Sequence, residues 1–369
     1  MTGPNFDARR GRLRRKLKES GAGSLLISGL SNVRYLTGFT GDSSWLLLNS
    51  STTIMLSDTR YATQLADECP DLDVEIRDSG STIFDLAAKV IGKTKERRIG
   101  FESDHLTVSQ HQTLGEKITT AELVATTELV ERLREVKDKW EIEQIRTAVR
   151  CAERGISVVR SSLRPNQTES EIRYLLEASM RDFGAAGPAF EPIVAIGPTA
   201  AQPHAHAAER RVSESPVLLI DWGAQTKAGY CSDLTRVFFT AKPTKQMELV
   251  YRTVLTAQQA AIKAIRPGAK CIDVDRMARS LIEKAGFGGY FGHGLGHGFG
   301  LDIHESVRMS PISKQEFEPG MVVTCEPGIY LPGKFGVRIE DDILVTGSGN
   351  EVLSSVPREF EEVLVGFLA

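Results

Sequence analysis

Two short segments of this chain each carry a pair of carboxylates on the arms of a hairpin. In the first, Asp221 follows the apolar run Leu218-Leu219-Ile220 and Asp233 precedes Leu234 to Phe239, with a polar turn around Lys227 between them. In the second, Glu326 follows Met321 to Cys325 and Glu340 follows Gly336 to Ile339, around a Pro-Gly-Lys turn at Gly333. Residues equidistant from a turn pair across an antiparallel ladder, which predicts Asp221 opposite Asp233 and Glu326 opposite Glu340. Like charges so placed destabilise a sheet. Two such pairs therefore point to a cation between them, since acids at close range otherwise repel or take up protons.

Between the hairpins runs His293-Gly294-Leu295-Gly296-His297-Gly298-Phe299-Gly300-Leu301, followed by His304-Glu305. The alternating glycines make a helix untenable, so the i, i+4 histidines are not a helical zinc motif. As extended chain, the glycines share one face and His293 and His297 the other, leaving a bare face for close backbone approach. No three of these glycines have the spacing of a dinucleotide loop.

Four carboxylates balance the charge of two divalent cations. With a histidine added they form a donor set for a hard or borderline metal, Mn, Co, Fe or Zn, and dinuclear metal-assisted hydrolysis is the chemistry that follows. The ordinary account of any one acid is a turn, cap or ion pair. Strand parity puts Arg338, Glu340 and Asp342 on one face, where a surface pair of Arg338 with Glu340 competes with the metal reading. The combination of two hairpins, the Gly-His segment and an extended Glu326 before Pro327 favours the metal. The five cysteines, at 69, 151, 231, 271 and 325, are scattered and form no CxxC, so they read as small buried thiols.

The chain that must position these groups has 369 residues, enough for two or three domains, and a formal charge of -3. Both signs are spread along it, which gives no reason to expect nucleic acid or an anionic membrane as partner. Met1 to Arg15 has no apolar signal core and no apolar run is long enough to span a bilayer, so a cytoplasmic protein is expected.

A basic helix over Asp7 to Ser20, with a solvated arginine face, leads into a strand at Ser24 to Ser28. Strands at Trp45 to Leu48, Thr53 to Leu56, Val74 to Ile76, Arg98 to Phe101 and Glu122 to Val124 then alternate with helices at Arg60 to Asp67, Ile83 to Ile91 and Ser109 to Lys117. This predicts an α/β domain over residues 1–127. From 128 to 369 the pattern changes. A long helix follows the charged stretch Glu131 to Glu141 and stops before Pro165, and a second, capped by Thr168 and Glu171, closes at Gly184. Helices over Leu249 to Ile265 and Ile272 to Ala285 repeat the arrangement around Arg266-Pro267. Each helix pair precedes one carboxylate hairpin, which implies a duplication about a pseudo-twofold axis that brings the acid pairs together.

The set Asp221, Asp233, His297, Glu326 and Glu340 resembles the five-ligand signature of the metallopeptidase family that contains aminopeptidase P, prolidase and methionine aminopeptidase, with the α+β pita-bread (creatinase/aminopeptidase) fold. The motifs carrying it are the Gly-His segment with His304-Glu305, Glu326-Pro327-Gly328-Ile329-Tyr330, and Arg338-Ile339-Glu340-Asp341-Asp342. Asn32-Val33-Arg34-Tyr35-Leu36-Thr37-Gly38-Phe39-Thr40-Gly41 and Asp58-Thr59-Arg60-Tyr61 resemble the creatinase/prolidase-like amino-terminal domain of its proline-directed branch. Asp221 and Asp233 stand one residue further apart than the family pattern, which an extra residue among positions 225–229 accommodates.

The resemblance implies two divalent ions per chain, Mn foremost with Co or Zn as alternatives. Asp221 would chelate one, His297 and Glu326 the other, and Asp233 and Glu340 would bridge both. It makes Glu326 the proton acceptor and donor, and gives His293 and His304 hydrogen bonds to the substrate and its developing oxyanion. His204 would line a proline pocket, with His206 the neighbouring alternative, and Arg338 would orient Glu340 or the substrate. The expected substrates are small peptides with proline second, cleaved as by an Xaa-Pro aminopeptidase, with a dipeptide-specific prolidase as the alternative. A homodimer is expected. A creatinase or a non-catalytic binding protein of the same fold would not require all five ligands.

Overall fold

The structure is a computed structural model that describes residues 3–366. The chain divides into two compact units between Arg134 and Glu135. Residues 1–2 and 367–369, the outermost positions of the two predicted domains, lie outside the described residues.

The first unit is built on a six-stranded mixed sheet in the order Asp73–Arg77, Thr53–Asp58, Trp45–Asn49, Ser24–Ile27, Arg98–Glu102, Glu122–Thr126. Its central strand, Ser24–Ile27, is buried at every position, as a strand covered on both faces must be. The leading helix, Phe6–Glu19, departs from the expected solvated face. Arg9 and Arg10 are buried and donate to the carbonyls of Tyr35 and Leu36, at the end of the helix Leu30–Thr37, and the Arg9 guanidinium lies 4.4 Å from the Tyr35 ring centre. Cations suit that helix end, where carbonyls are left without helical partners.

Residues 128–134, assigned to the second domain by the sequence pattern, are bonded into this first unit. Glu131 accepts from Asn32 and meets the His105 ring nitrogen at 2.7 Å, while Arg134 donates to Asn32. The Asn32 amide nitrogen also reaches Glu102, so one amide donates to both acids.

Hydrogen bonds from His105 and Asn32 hold Glu131 down at about 2 against the burial that would raise it, and Glu131 in turn raises His105. The Glu131 carboxylate therefore stabilises the fold above the ordinary glutamate pKa, and that contribution fades as pH falls towards 2. The His105 contribution is present at mildly acid pH and is lost as pH rises through its raised value. Glu131→Gln is expected to lower the opening free energy of the Arg98–Glu102 strand by roughly 2 to 3 kcal/mol at pH 5.5, and by much less near pH 2.5. Amide hydrogen exchange measures this, and a pH-independent difference would contradict it.

The second unit repeats one motif twice. Helices Lys139–Ser162 and Glu169–Asp182 precede a sheet ordered Leu234–Phe239, Val217–Trp222, Ile193–Ile196. Helices Lys245–Ala264 and Cys271–Lys284 precede one ordered Val322–Cys325, Asp341–Val345, Asn350–Val352. Thr168 and Glu171 form the expected capping box, and Gly184 and Gly286 adopt the positive φ that ends a helix. The two sheets join where the Glu340 N–H donates to the Thr235 carbonyl at 3.1 Å. One continuous apolar core packs beneath them, with Trp222 fully buried and its indole N–H bonded to the Ala152 carbonyl. This is the α+β pita-bread architecture with its internal duplication. Among the described residues no helix is long and apolar enough to cross a membrane.

Candidate metal centre

The second hairpin has the predicted register. Leu331 pairs with Phe335 around Gly333 and Cys325 with Asp341, which places Glu326 across from Glu340. The first hairpin differs. Asp221 pairs with Thr235 rather than Asp233, and Asp233 falls opposite Gly223, because the loop holds three residues and centres on Ala228. Thr226 and Tyr230 close that loop, with Gly229 at φ 89°, the pattern of a turn followed by a left-handed glycine. The shift is two residues, so both aspartates keep the same face.

The Gly-His segment is extended at Gly296–His297 and pairs with Arg308–Met309. Its bare face is used against the neighbouring strand, since a Cβ on Gly296 would stand 2.2 Å from the Thr324 carbonyl oxygen. That approach lets the Leu295 carbonyl accept the Glu326 N–H and the Thr324 hydroxyl accept the His297 N–H. Histidine and glutamate are thereby aimed at one point.

Asp221, Asp233, His297 and Glu340 are buried and Glu326 is half-buried. His297 Nε2 lies 3.4 Å from Glu326 Oε1 and 3.6 Å from Asp233 Oδ2. Donor atoms of Asp233, His297 and Glu340 all fall within 4.8 Å of one another. The other His297 nitrogen, Nδ1, faces the Gly298 carbonyl at 3.2 Å and so carries the hydrogen, leaving the Nε2 lone pair towards the carboxylates.

Burial and then the Glu340 and Asp221 charges push Asp233 well above the usual carboxylate range, and burial and then Glu326 do the same to Glu340. Burial lifts Glu326 to about 8 and, with His304, presses His297 down to about 3. Asp221 Oδ1 is buried with no hydrogen-bond partner. Crowded acids, an orphaned oxygen and a neutral imidazole lone pair fit divalent cations with oxygen and nitrogen ligands.

The remaining predicted residues line a cavity of about 860 Å³ above this set. His204, His206 and His304 are exposed to it, and the His304 ring packs 4.4 Å from that of His297. His293 also lines it, but both its ring nitrogens already have partners, the Gly294 carbonyl at 2.7 Å and the Tyr330 hydroxyl at 2.9 Å. Arg338, expected to orient Glu340 or the substrate, also lines the cavity, and its hydrogen bonds reach Glu340 through Thr235. It is buried and donates to Asp221, Tyr330 and Thr235, and the Thr235 hydroxyl donates to Glu340 at 2.6 Å.

Nothing in the sequence singles out Arg236, or assigns a role of their own to Asp341 and Asp342 beside Glu340. Strand parity separates the two. Asp342 accepts the Asp233 N–H on the metal side, whereas Asp341 is ion-paired with Arg236 and Arg358 on the other. The cysteines are free and buried, as small thiols.

Two family models match the chain: metallopeptidase family M24 over residues 143–347 and the creatinase/prolidase N-terminal domain over residues 9–136. The chain is 35% identical to the uncharacterized peptidase YqhT of Bacillus subtilis, over 94% of this chain and 98% of that one. Among solved structures it is similar to an Xaa-Pro dipeptidase from Bacillus anthracis (36% identity, TM-score 0.92, covering 98% of this chain and 100% of that one). It is also similar to an X-Pro aminopeptidase from Thermotoga maritima (35% identity, TM-score 0.85, covering 94% and 99%) and to the prolidase of Pyrococcus horikoshii (29% identity, TM-score 0.89, covering 95% and 99%).

Proposed function

The chain belongs to metallopeptidase family M24, and on that premise we propose that it is an Xaa-Pro aminopeptidase, releasing the amino-terminal residue of peptides whose second residue is proline. The observation that carries this reading is the five-residue donor set at the base of a cavity with apolar Phe190, Pro192 and Ile193 in its wall. In this reading Asp221, Asp233, His297, Glu326 and Glu340 hold two divalent ions, with Mn foremost. When bound, such ions supply Lewis acidity that polarises the scissile carbonyl and makes a water acidic at neutral pH.

The chain's own groups do the rest. Glu326, with a pKa lifted by burial, takes the proton of the attacking water and returns it to the departing proline nitrogen, which has no hydrogen of its own in the peptide. His304 donates to the carbonyl oxygen as charge develops there. His293, tied to Tyr330, forms the wall behind it, and His204 packs against the proline ring. Arg338 holds Asp221 in place. The expected setting is a cytoplasmic homodimer.

A dipeptide-specific reading has one observation of its own, the exposed cation Arg308 on the cavity wall, which suits the carboxylate of a substrate ending at proline. The test supplies Mn-reconstituted protein with Ala-Pro and Ala-Pro-Ala-Ala together and identifies products by mass spectrometry. Release of Ala from the tetrapeptide is expected. Cleavage of Ala-Pro alone would make the enzyme a dipeptidase, and cleavage of neither, with Mn, Co or Zn, would end the proline-directed reading.

A further inference from the structure

The cavity wall that carries His204 is a loop, not a strand. After the strand Ile193–Ile196 the chain turns at Gly197, where φ is 60°, passes Pro203, His204, Ala205 and His206, and returns at Ala208 to the start of the helix Glu169–Asp182. Its internal backbone bonds are those of a short 3-10 turn over Gly197–Ala201 and of the turn from Gln202 to Ala205, which leave both ends to be held by other groups.

Glu169 is fully buried at the first turn of that helix, where an acid would ordinarily serve only the helix end. Its two oxygens are instead turned on the loop. Oε1 accepts the Ile196 N–H and the Thr199 hydroxyl, both at 2.7 Å, and Oε2 accepts the Ala208 N–H at 3.0 Å. One carboxylate thus binds both ends of the loop. The neighbouring main chain adds to it, with the Glu169 N–H on the Arg210 carbonyl and the Ser170 N–H on the Ala208 carbonyl. In mid-loop, Arg338 reaches the Pro203 carbonyl at 3.4 Å, and a Cβ on Gly336 would stand 2.0 Å from the Ala200 carbonyl oxygen, so the loop lies directly on the hairpin that precedes Glu340.

We propose that Glu169 is a positioning residue for substrate binding: its carboxylate clamps residues 196–208 closed at both ends and so fixes where His204 meets the residue after the scissile bond. The inference rests on the reading that this cavity receives the peptide. A carboxylate serves here because all three partners donate to it; a glutamine would set its NH2 against at least one of them and so release one end of the loop. None of the Glu169 hydrogen bonds goes to the five metal-site residues, so its loss acts first on the wall, and metal content is measured to separate the two effects.

The test compares wild type, Glu169→Gln and Thr199→Val, the second removing the Thr199 hydroxyl, which donates to Glu169 and also accepts the Ile196 N–H, while leaving the carboxylate and its bonds to the Ile196 and Ala208 N–H groups in place. Glu169→Gln is expected to raise KM for Ala-Pro-Ala-Ala about tenfold with kcat within about threefold, and Thr199→Val to raise KM less. Metal content should stay at the wild-type value, and amide exchange at Ile196 and Ala208 should rise in Glu169→Gln while that of Val217–Trp222 does not. An unchanged KM with unchanged loop exchange would overturn the proposal, as would a loss confined to kcat and accompanied by metal loss. If Glu169→Gln fails to fold, Thr199→Val decides by the same two readouts. If the wild type cleaves no Xaa-Pro peptide, the functional reading fails, but loop exchange still decides whether the clamp exists.

Discussion

Glu340→Gln is expected to lower kcat/KM for an Xaa-Pro peptide by at least about a thousandfold, roughly 4 kcal/mol of transition-state stabilisation, while leaving the fold intact. Glu340 stands where the two sheets join, with its N–H on Thr235 and its Oε2 taking the Thr235 hydroxyl. It lies across the hairpin from Glu326, and its donor oxygen is within 4.8 Å of the donor atoms of Asp233 and His297. Gln keeps the shape but removes the charge that balances the cations, so activity and metal affinity should fall together. Thermal stability of the metal-free protein should not fall, because buried neighbouring carboxylates repel one another and one fewer charge relieves them. A variant with near wild-type kcat/KM would remove Glu340 from the site.

The second large effect lies behind the ligands. Arg236 is fully buried; it pairs with Asp341 at 2.6 Å and donates to the carbonyls of Thr235, Glu340, Val356 and Pro357. Asp341, held at about 2 despite burial by Arg236 and Arg358, also takes the Ser354 hydroxyl and the Gln258 amide. Arg236→Met removes one cation from this group and leaves four carbonyls short of a donor. A loss of about 3 to 5 kcal/mol in unfolding free energy is expected, the range for breaking a buried pair on one side. Because Arg236 also fixes the Glu340 carbonyl, metal affinity should weaken even under conditions where the variant is folded. A loss below about 1 kcal/mol in denaturant unfolding would show that Arg358 alone sustains Asp341.

Much of this was readable from residue order, and the exceptions have physical reasons. The second hairpin could be registered because Gly333 sits midway between its arms. The first was placed two residues off because Gly229 takes the left-handed conformation and lengthens the loop, which a symmetric reading ignores. The shift was harmless to the site only because it was even. The glycines at 294, 296 and 298 implied a bare face before any neighbour was known; that face meets the Met309 carbonyl at Gly294, the Thr324 carbonyl at Gly296 and Val307 at Gly298.

Long-range pairings were not legible. The helix Leu30–Thr37 begins at Gly29 without a side-chain cap, so no local signal announced its start, and the burial of Arg9 and Arg10 follows from carbonyls on that same helix. Strand parity already separated Asp341 from Asp342, but not their partners, which are Arg236 for one and the Asp233 N–H for the other. Glu169 looked like a helix-start acid, because nothing in sequence shows that Ile196, Thr199 and Ala208 return to it.

The most direct test of the central claim is a calorimetric titration of metal-free wild-type protein with Mn, repeated with Glu340→Gln. Two ions per chain are expected for the wild type, and fewer than two at the same concentrations for the variant. A single ion in the wild type, or two bound equally well by the variant, would contradict the proposal that these five residues, Glu340 among them, hold two divalent ions.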